Sequence, residues 1–185
     1  LELTEELRLE LENRFCACLS QSMNFVMELS CRDFIFQHAG SRGIPCTEEL
    51  MEKILACANS LAGEPLHPED MITALSGGQS RALMIADIAL LCDSPIVLID
   101  EIENAGIDKE RALGLLQRHD KLVLVVTHDP HTALMSRRRI VMGGGAVAAV
   151  VERSPQEAAL YMELGELYRR QQTYQASLRR GDHLA

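Results

Sequence analysis

The chain has 185 residues, a net charge of −9, a pI near 5.1 and an apolar content of 47%. This apolar content is sufficient for a hydrophobic core and excludes an intrinsically disordered protein. The acidic balance argues against a nucleic-acid-binding surface, because such surfaces are basic. No apolar run approaches the roughly 20 residues that a membrane-spanning helix needs, so no membrane span is predicted.

Six cysteines are scattered along the chain, several of them within apolar patterns. Buried thiols of this kind behave as small hydrophobic side chains. The closest pair, Cys16 and Cys18, has no second Cys or His pair at zinc-finger spacing. We therefore expect reduced cysteines and a cytoplasmic protein.

The first half of the chain predicts a strand followed by a helical segment. The apolar stretch from Phe15 to Leu19 is typical of a strand. Ser30 begins a helix, and Thr47 caps a second one whose apolar residues recur at helical spacing. Gly63 and the two prolines that follow it break the chain. Residues 30–74 therefore predict a helical lid inserted between two core strands.

The second half alternates helices and strands. A helix is predicted from about Ser80, followed by a buried strand at 96–99, a helix at 109–118 and a strand at 122–126. This alternation is typical of a parallel sheet with helices on its faces.

Two further segments end the chain. Residues 139–142 and 146–151 flank three glycines and predict a hairpin. Ser154, Pro155 and Glu157 supply the N-cap, the first-turn proline and the capping-box acid of a helix that extends to Arg179. We expect the face of this helix that carries Leu160, Leu164, Leu167 and Tyr168 to dock on the chain's own core, with a partner contact or a regulatory tail as the alternatives.

Two short motifs predict a site for a nucleotide and Mg²⁺. In Leu75-Ser76-Gly77-Gly78-Gln79, small residues let backbone N–H groups approach an anion at the start of a helix. The strand at 96–99 then ends in Asp100 and Glu101, at the edge where parallel sheets bind ligands. Because side chains alternate along a strand, we expect Glu101 to point to the face opposite that of Asp100.

These motifs resemble those of the ATP-binding cassette (ABC) ATPases. The LSGGQ peptide at 75–79 matches the family signature, and the apolar strand with Asp100 and Glu101 matches its Walker B motif. Thr127-His128-Asp129 follows the next strand as the family's switch histidine does, and Gln21 resembles the Q-loop glutamine. Asp108 is the candidate for the interfacial aspartate, although the segment before it is one residue longer than usual and lacks proline.

The resemblance implies a P-loop-NTPase-like α/β fold, in which this chain forms the carboxyl portion of a mostly parallel sheet core with an inserted helical lid. It divides the chain into the entry strand and Q-loop at 1–29, the lid at 30–74, the signature, Walker B and switch core at 75–153, and a carboxyl-terminal helix at 154–185. ATP and Mg²⁺ are the implied cofactors.

The resemblance also assigns roles to the residues. Asp100 and Gln21 hold Mg²⁺, and Glu101 is the general base. His128 and Gln21 act on the γ-phosphate and the attacking water. The nucleotide-binding residues are Ser76, Gly77, Gly78, Gln79 and Asp108, with the signature acting on the nucleotide of a second protomer in a head-to-tail dimer.

The family's P-loop pattern, G-x-x-x-x-G-K-[ST], is absent from the 185 residues. We expect these residues alone to bind ATP weakly and to lack ATPase activity. Either a fragment of a longer domain or a natural truncation explains this absence.

The resulting prediction is an ATP-hydrolysing subunit that powers a transporter through transmembrane partner subunits, at the inner face of the membrane. One alternative is a soluble ABC ATPase of DNA repair, chromosome organisation or translation. The other is a non-catalytic module that donates its signature to a partner.

Overall fold

The computed structural model describes residues 4–5, 15–20 and 25–184, and only the backbone at 104–105. The chain divides into two compact units, Leu1–Val126 and Thr127–Ala185. The first unit contains the helical segment and the parallel strands, and the second contains the hairpin and the last helix. The predicted boundaries at residues 29, 74 and 153 remain predictions.

A three-stranded parallel sheet organises the first unit. Its strands lie in the order β1-β2-β3, at Cys16–Leu19, Ile96–Asp100 and Leu122–Val126. The register places Ile99 between Leu19 and Val125. β-Branched and leucine side chains dominate β2 and β3, as expected for a pleated backbone. The three predicted strands are confirmed, and the parallel pairing brings their carboxyl ends to one edge.

The two faces of this sheet differ in exposure. On one face Leu19, Val97 and Ile99 are at most 1% exposed. On the other face Leu98 is 37% exposed and Leu124 is 45% exposed. Within the described residues, the prediction of a buried strand therefore holds for one face of β2 only. A continuous apolar run does not reveal which of its faces another layer covers.

Two helices form the segment between β1 and the signature. They are α1 at Cys31–Ser41 and α2 at Glu48–Leu61. The Ser30 hydroxyl accepts the Asp33 N–H at 3.0 Å, and the Thr47 hydroxyl accepts the Leu50 N–H at 3.2 Å. The predicted Thr47 cap and the predicted helix start at Ser30 are confirmed, and each side chain satisfies an N–H group that has no partner within its helix.

Two more helices complete the first unit, α3 at Gly77–Leu90 and α4 at Lys109–Arg118. Helix α2 packs against α3, and α3 packs against α4. The predicted bounds of α4 are confirmed, whereas the predicted start of α3 near Ser80 is too late. A capping box at Ser76 begins α3 at Gly77 and offsets the low helix propensity of two glycines.

The second unit has a short helix, a hairpin and a long helix. Helix α5 spans Pro130–Met135, strands β4 and β5 span Arg138–Gly143 and Ala146–Glu152, and helix α6 spans Pro155–Arg179. The hairpin is antiparallel, and Gly144 and Gly145 adopt positive φ angles of 59° and 79° at its turn. The predicted hairpin and the predicted bounds of the last helix are confirmed, but α5 was not predicted.

Helix α6 docks on α5 through an aromatic cluster. The His131 ring lies 5.3 Å from the ring centroids of both Tyr161 and Tyr168. Gly165 lies between these tyrosines, and a Cβ atom there would be 3.5 Å from His131 Nε2. The predicted docking face is therefore only partly right: Tyr168 docks, whereas Leu160 and Leu167 are 45% and 54% exposed. Gly165 explains why this face docks: because it has no side chain, α5 can approach the face of α6 that carries Tyr161, Gly165 and Tyr168.

Among the described residues, no helix has both the length and the apolar character needed to cross a membrane.

Candidate functional site

The start of α3 is held by a reciprocal capping box. The Ser76 hydroxyl accepts the Gln79 N–H at 3.3 Å, and Gln79 Oε1 accepts the Ser76 N–H at 3.0 Å. The first of these bonds uses the Ser76 hydroxyl oxygen as an acceptor and leaves the hydroxyl proton available to donate. Ser76 is exposed, so that proton can reach a bound group.

Gln79 also joins the helix to the loop that precedes it. Its Nε2 donates to the backbone carbonyl of Pro65 at 3.0 Å. One side chain therefore closes the capping box with its oxygen and holds the Pro65 loop with its nitrogen. The predicted nucleotide-binding role of Gln79 stays a prediction, and the observed contacts are structural.

Gly77 and Gly78 occupy the first two positions of α3. Their N–H groups have no acceptor inside the helix, and the positive end of the helix dipole lies there. A Cβ atom on Gly77 would meet no atom within 4 Å, so the approach on that side is open. This geometry suits an anion, as predicted from the two glycines.

The loop after β2 passes close to the signature glycines. Gly106 has a φ of 66°, and a Cβ atom built on it would lie 3.9 Å from the Gly78 Cα. The structure thus brings the segment that follows Asp100 and Glu101 beside the start of α3. This proximity could not be predicted from either motif alone.

Asp100 is the last residue of β2 and is partly exposed. Its backbone carbonyl accepts a hydrogen bond from Arg81 Nη2, and the Arg81 side chain is buried in the first turns of α3. Burial lowers the pKa of the Arg81 guanidinium, while the charges of Asp100, Glu103 and Glu101 act in the opposite direction. Arg81 thus connects α3 to the end of β2 and places a positive charge near three carboxylates.

Sequence reasoning missed Arg81, although a signal was present. The residue is the first charged one after the signature and begins an otherwise apolar helical run. A charged residue in that position is rarely buried without a partner, so the pattern predicts a nearby acceptor. The identity of that acceptor depended on the fold.

Glu101 lies just beyond β2 in a left-handed conformation, with φ 49° and ψ 61°. Its backbone N–H donates to the Val126 carbonyl at 2.9 Å, which anchors it to the end of β3. The expectation that Glu101 continues the strand alternation is wrong, because the backbone leaves the β region at this residue. Such a conformation costs about 1–2 kcal/mol in a residue with a side chain, and outliers of this kind cluster at functional sites.

Asp108 is the N-cap of α4. Its carboxylate accepts the Arg111 N–H at 3.1 Å and pairs with Arg111 Nε at 3.2 Å, while its own N–H donates to the Leu61 carbonyl at 3.3 Å. The side chain is 34% exposed. The Asp108 carboxylate therefore stabilises the start of α4, and its predicted interfacial role stays a prediction.

The remaining two predicted residues are not described as part of this group. His128 is exposed and belongs to the second compact unit, where it follows β3 in the chain. Gln21 lies outside the described residues. Within the first unit, the structure brings together Arg81, Asp100 and Glu101, and separately Gly78 and Gly106.

Comparison with known proteins identifies the family. The chain is 48% identical over 162 residues to an uncharacterized ABC transporter ATP-binding protein of Methanocaldococcus jannaschii. The match covers 88% of this chain and 62% of that protein's length. The chain belongs to the ABC ATPase family. The resemblance to ABC ATPases in the signature and Walker B motifs is therefore confirmed. No family model matches this ABC chain.

Solved structures agree with this assignment. A dimeric ABC transporter cassette of M. jannaschii superposes with a TM-score of 0.64 and 25% identity, covering 81% of the ABC chain and 68% of the cassette. A dimeric structure of the same cassette bound to ADP and Pi has a TM-score of 0.61 and 22% identity, and covers 82% and 68% of the two chains. The predicted α/β fold is confirmed.

Proposed function

We propose that this chain belongs to the ATP-binding and ATP-hydrolysing subunit of an ABC system that powers a membrane transporter. The observation that carries the proposal is the position of Asp100 and Glu101 at the carboxyl edge of the parallel sheet, with Glu101 in a left-handed conformation anchored to β3. The name of the M. jannaschii relative, an ABC transporter ATP-binding protein, supports the transport role.

Asp100 suits Mg²⁺ because it is a partly exposed carboxylate at a strand end, and Mg²⁺ prefers oxygen ligands together with several waters. We assign Asp100 and Gln21 to hold this ion. Bound Mg²⁺ neutralises charge on the β- and γ-phosphates. The P-loop pattern that cradles the phosphates in the family is not among these 185 residues.

Glu101 is assigned as the general base. A carboxylate can accept a proton from the water that attacks the γ-phosphate, provided that it is held in position. The bond from its N–H to the Val126 carbonyl holds the Glu101 backbone. His128 donates a hydrogen bond to the γ-phosphate, and Gln21 contacts the attacking water.

The signature acts on the nucleotide of a second protomer. The Gly77 and Gly78 N–H groups have no acceptor within α3, and the Ser76 hydroxyl proton is available to donate, so an anion from across a dimer interface can use these groups. The dimeric cassettes with this fold support such an arrangement. Gln79 and Asp108 lie at the same interface. The ATP-binding subunit lies on the cytoplasmic side of the membrane, where it joins the transmembrane subunits of the transporter.

Replacing Glu101 with Gln in the intact domain tests the proposal. The variant keeps the shape of the side chain but cannot accept the proton, so steady-state phosphate release should fall by about 10²–10⁴-fold while ATP binding persists. The matched control is Glu52→Gln, which makes the same change at an exposed carboxylate on α2 and should retain activity. If Glu101→Gln turned over ATP within about threefold of the unmodified domain, the assignment of the base would be wrong.

A further inference from the structure

A buried cluster in the first unit stands apart from the signature and Walker B residues. It consists of His38 in the last turn of α1, Asp87 near the end of α3, and Cys92 just after that helix. The nitrogen, oxygen and sulfur atoms of these side chains all lie within 4.8 Å of one another. The cluster supplies three different kinds of metal ligand at one point.

The Asp87 carboxylate is fully buried and only partly compensated. Its side chain has no exposed surface, and its Oδ1 atom has no hydrogen-bond partner among the described residues. Its Oδ2 atom lies 2.8 Å from His38 Nδ1, close enough for a hydrogen bond or an ion pair. A buried carboxylate is costly unless positive charge compensates it, and a metal ion in place of the Nδ1 proton would supply that charge.

We propose that His38, Asp87 and Cys92 form a zinc-binding site that ties α1 to the end of α3. Zinc is the ion that fits, because it accepts histidine nitrogen, carboxylate oxygen and thiolate sulfur together in tetrahedral geometry. His38 is 24% exposed, so solvent can reach the site and water can fill the fourth position.

The distances allow the ion to enter after small movements. Zinc bonds of about 2.0–2.3 Å place tetrahedral ligand atoms roughly 3.4–3.6 Å apart. The atoms of the cluster are separated by 2.8 Å for the His38–Asp87 pair and by no more than 4.8 Å for any pair. Shifts of about 1 Å would therefore bring the three atoms to zinc-binding distances.

Helix dipoles favour a cation at this point. His38 lies in the last turn of α1, and Asp87 lies near the carboxyl end of α3. The negative ends of both helix dipoles thus lie near the cluster. Two positive side chains oppose this effect: Arg42 bonds to His38, and Lys121 donates to the Cys92 carbonyl.

Arg42 gives the proposal a distinctive consequence. Its Nε donates to His38 Nε2 at 3.0 Å, which requires that nitrogen to be unprotonated. Metal on Nδ1 of a neutral imidazole leaves the proton on Nε2, so two donors would face each other until Arg42 turned away. Replacing Arg42 with Gln supplies a carbonyl that can accept the Nε2 proton, and it should tighten metal binding by about 10-fold or more.

Cobalt titration of the metal-free protein tests the site, because Co²⁺ replaces zinc and reports thiolate ligation through a charge-transfer absorption band. The unmodified chain should show this band and lose it when zinc is added. Cys92→Ser should abolish the band, and His38→Gln should weaken Co²⁺ binding by at least about 10-fold. Cys18→Ser is the control, because Cys18 is an exposed thiol on β1, and it should keep the band.

Thermal unfolding with and without zinc keeps the test independent of folding defects. Zinc should raise the melting temperature of the unmodified chain and of Cys18→Ser, but not that of His38→Gln, whose partly exposed position tolerates substitution. Absence of the cobalt band in the unmodified chain, its survival in Cys92→Ser, or its loss in Cys18→Ser would overturn the proposal. So would weaker metal binding by Arg42→Gln.

Discussion

Arg81 donates a hydrogen bond to the backbone carbonyl of Asp100. This bond crosses from the signature helix to the last residue of the Walker B strand, and the Arg81 side chain is 7% exposed. The signature helix and the Walker B strand are therefore in direct contact within one protomer. The site's geometry depends on a residue that belongs to neither motif.

Replacing Arg81 with Met should destabilise the chain by about 2–3 kcal/mol, because a buried acceptor loses a charged donor. ATP hydrolysis by the intact domain should fall as well, since the end of β2 loses its anchor. Urea unfolding measures the first effect and phosphate release the second. Arg111→Met is the control: that side chain is 69% exposed, and its loss should cost less than about 1 kcal/mol. Equal losses from the two substitutions would contradict the special role of Arg81.

Gln79 offers a pair of substitutions that separates structure from chemistry. Gln79→Ala removes half of the capping box and the bond to the Pro65 carbonyl, so stability should fall by about 1 kcal/mol. Gln79→Glu retains an acceptor for the Ser76 N–H and should cost less stability. Its negative charge, however, opposes a phosphate at the start of α3 and should reduce ATP hydrolysis more than Gln79→Ala does. Thermal melts and ATPase assays of both variants test this order, which the reverse ranking in activity would refute.

Mixed dimers test whether the signature acts across the interface. Ser76→Arg adds a bulky side chain where the backbone must approach a phosphate, and Glu101→Gln removes the base. Mixing protomers that carry one substitution each should restore ATP hydrolysis, because Glu101 of the first can pair with Ser76 of the second. Placing both substitutions in one protomer beside an unmodified partner should leave each site with one lesion and little activity. The opposite pattern would mean that Ser76 acts within its own protomer. Gly78→Asp should behave like Ser76→Arg, because its carboxylate repels the phosphate.

Two buried thiols predict a loss of stability in alkali. Burial raises the pKa of both Cys31 and Cys92 from 9.0 to about 11, with Asp70 and Asp87 respectively as the second cause. A pKa raised by folding favours the folded state fully below the unfolded value, and this contribution is lost as the pH rises through the folded value. In metal-free buffer, unfolding free energy should therefore decline between about pH 9 and 11. The double variant Cys31→Ala/Cys92→Ala should show a shallower decline, and an unchanged slope would contradict the assignment.

Local signals predicted much of the fold. Ser30, Thr47 and Ser154 cap their helices through bonds to residues three positions ahead, so the sequence around them contains the whole interaction. The strands at 96–100 and 122–126 were predicted because their apolar runs are short and followed by polar residues. Helix α5 also had a local signal, with Asp129 as N-cap and Pro130 at the first turn, which sequence analysis did not use.

The site was less predictable because its key contacts join distant parts of the chain. Arg81 meets Asp100, Gln79 meets Pro65, and Gly106 approaches Gly78. No short pattern contains both members of these pairs. The left-handed backbone of Glu101 was also unpredictable, since a residue with a side chain rarely adopts it. Tertiary contacts impose that conformation, and the Val126 carbonyl is one of them.

The bonds made by Gln79 have a mechanical consequence. Its amide oxygen accepts the Ser76 N–H, and its amide nitrogen donates to the Pro65 carbonyl. One amide group therefore connects the Pro65 loop to the first turn of α3. A displacement of the loop that follows α2 pulls on the signature, and a ligand that draws the signature outward pulls on the loop.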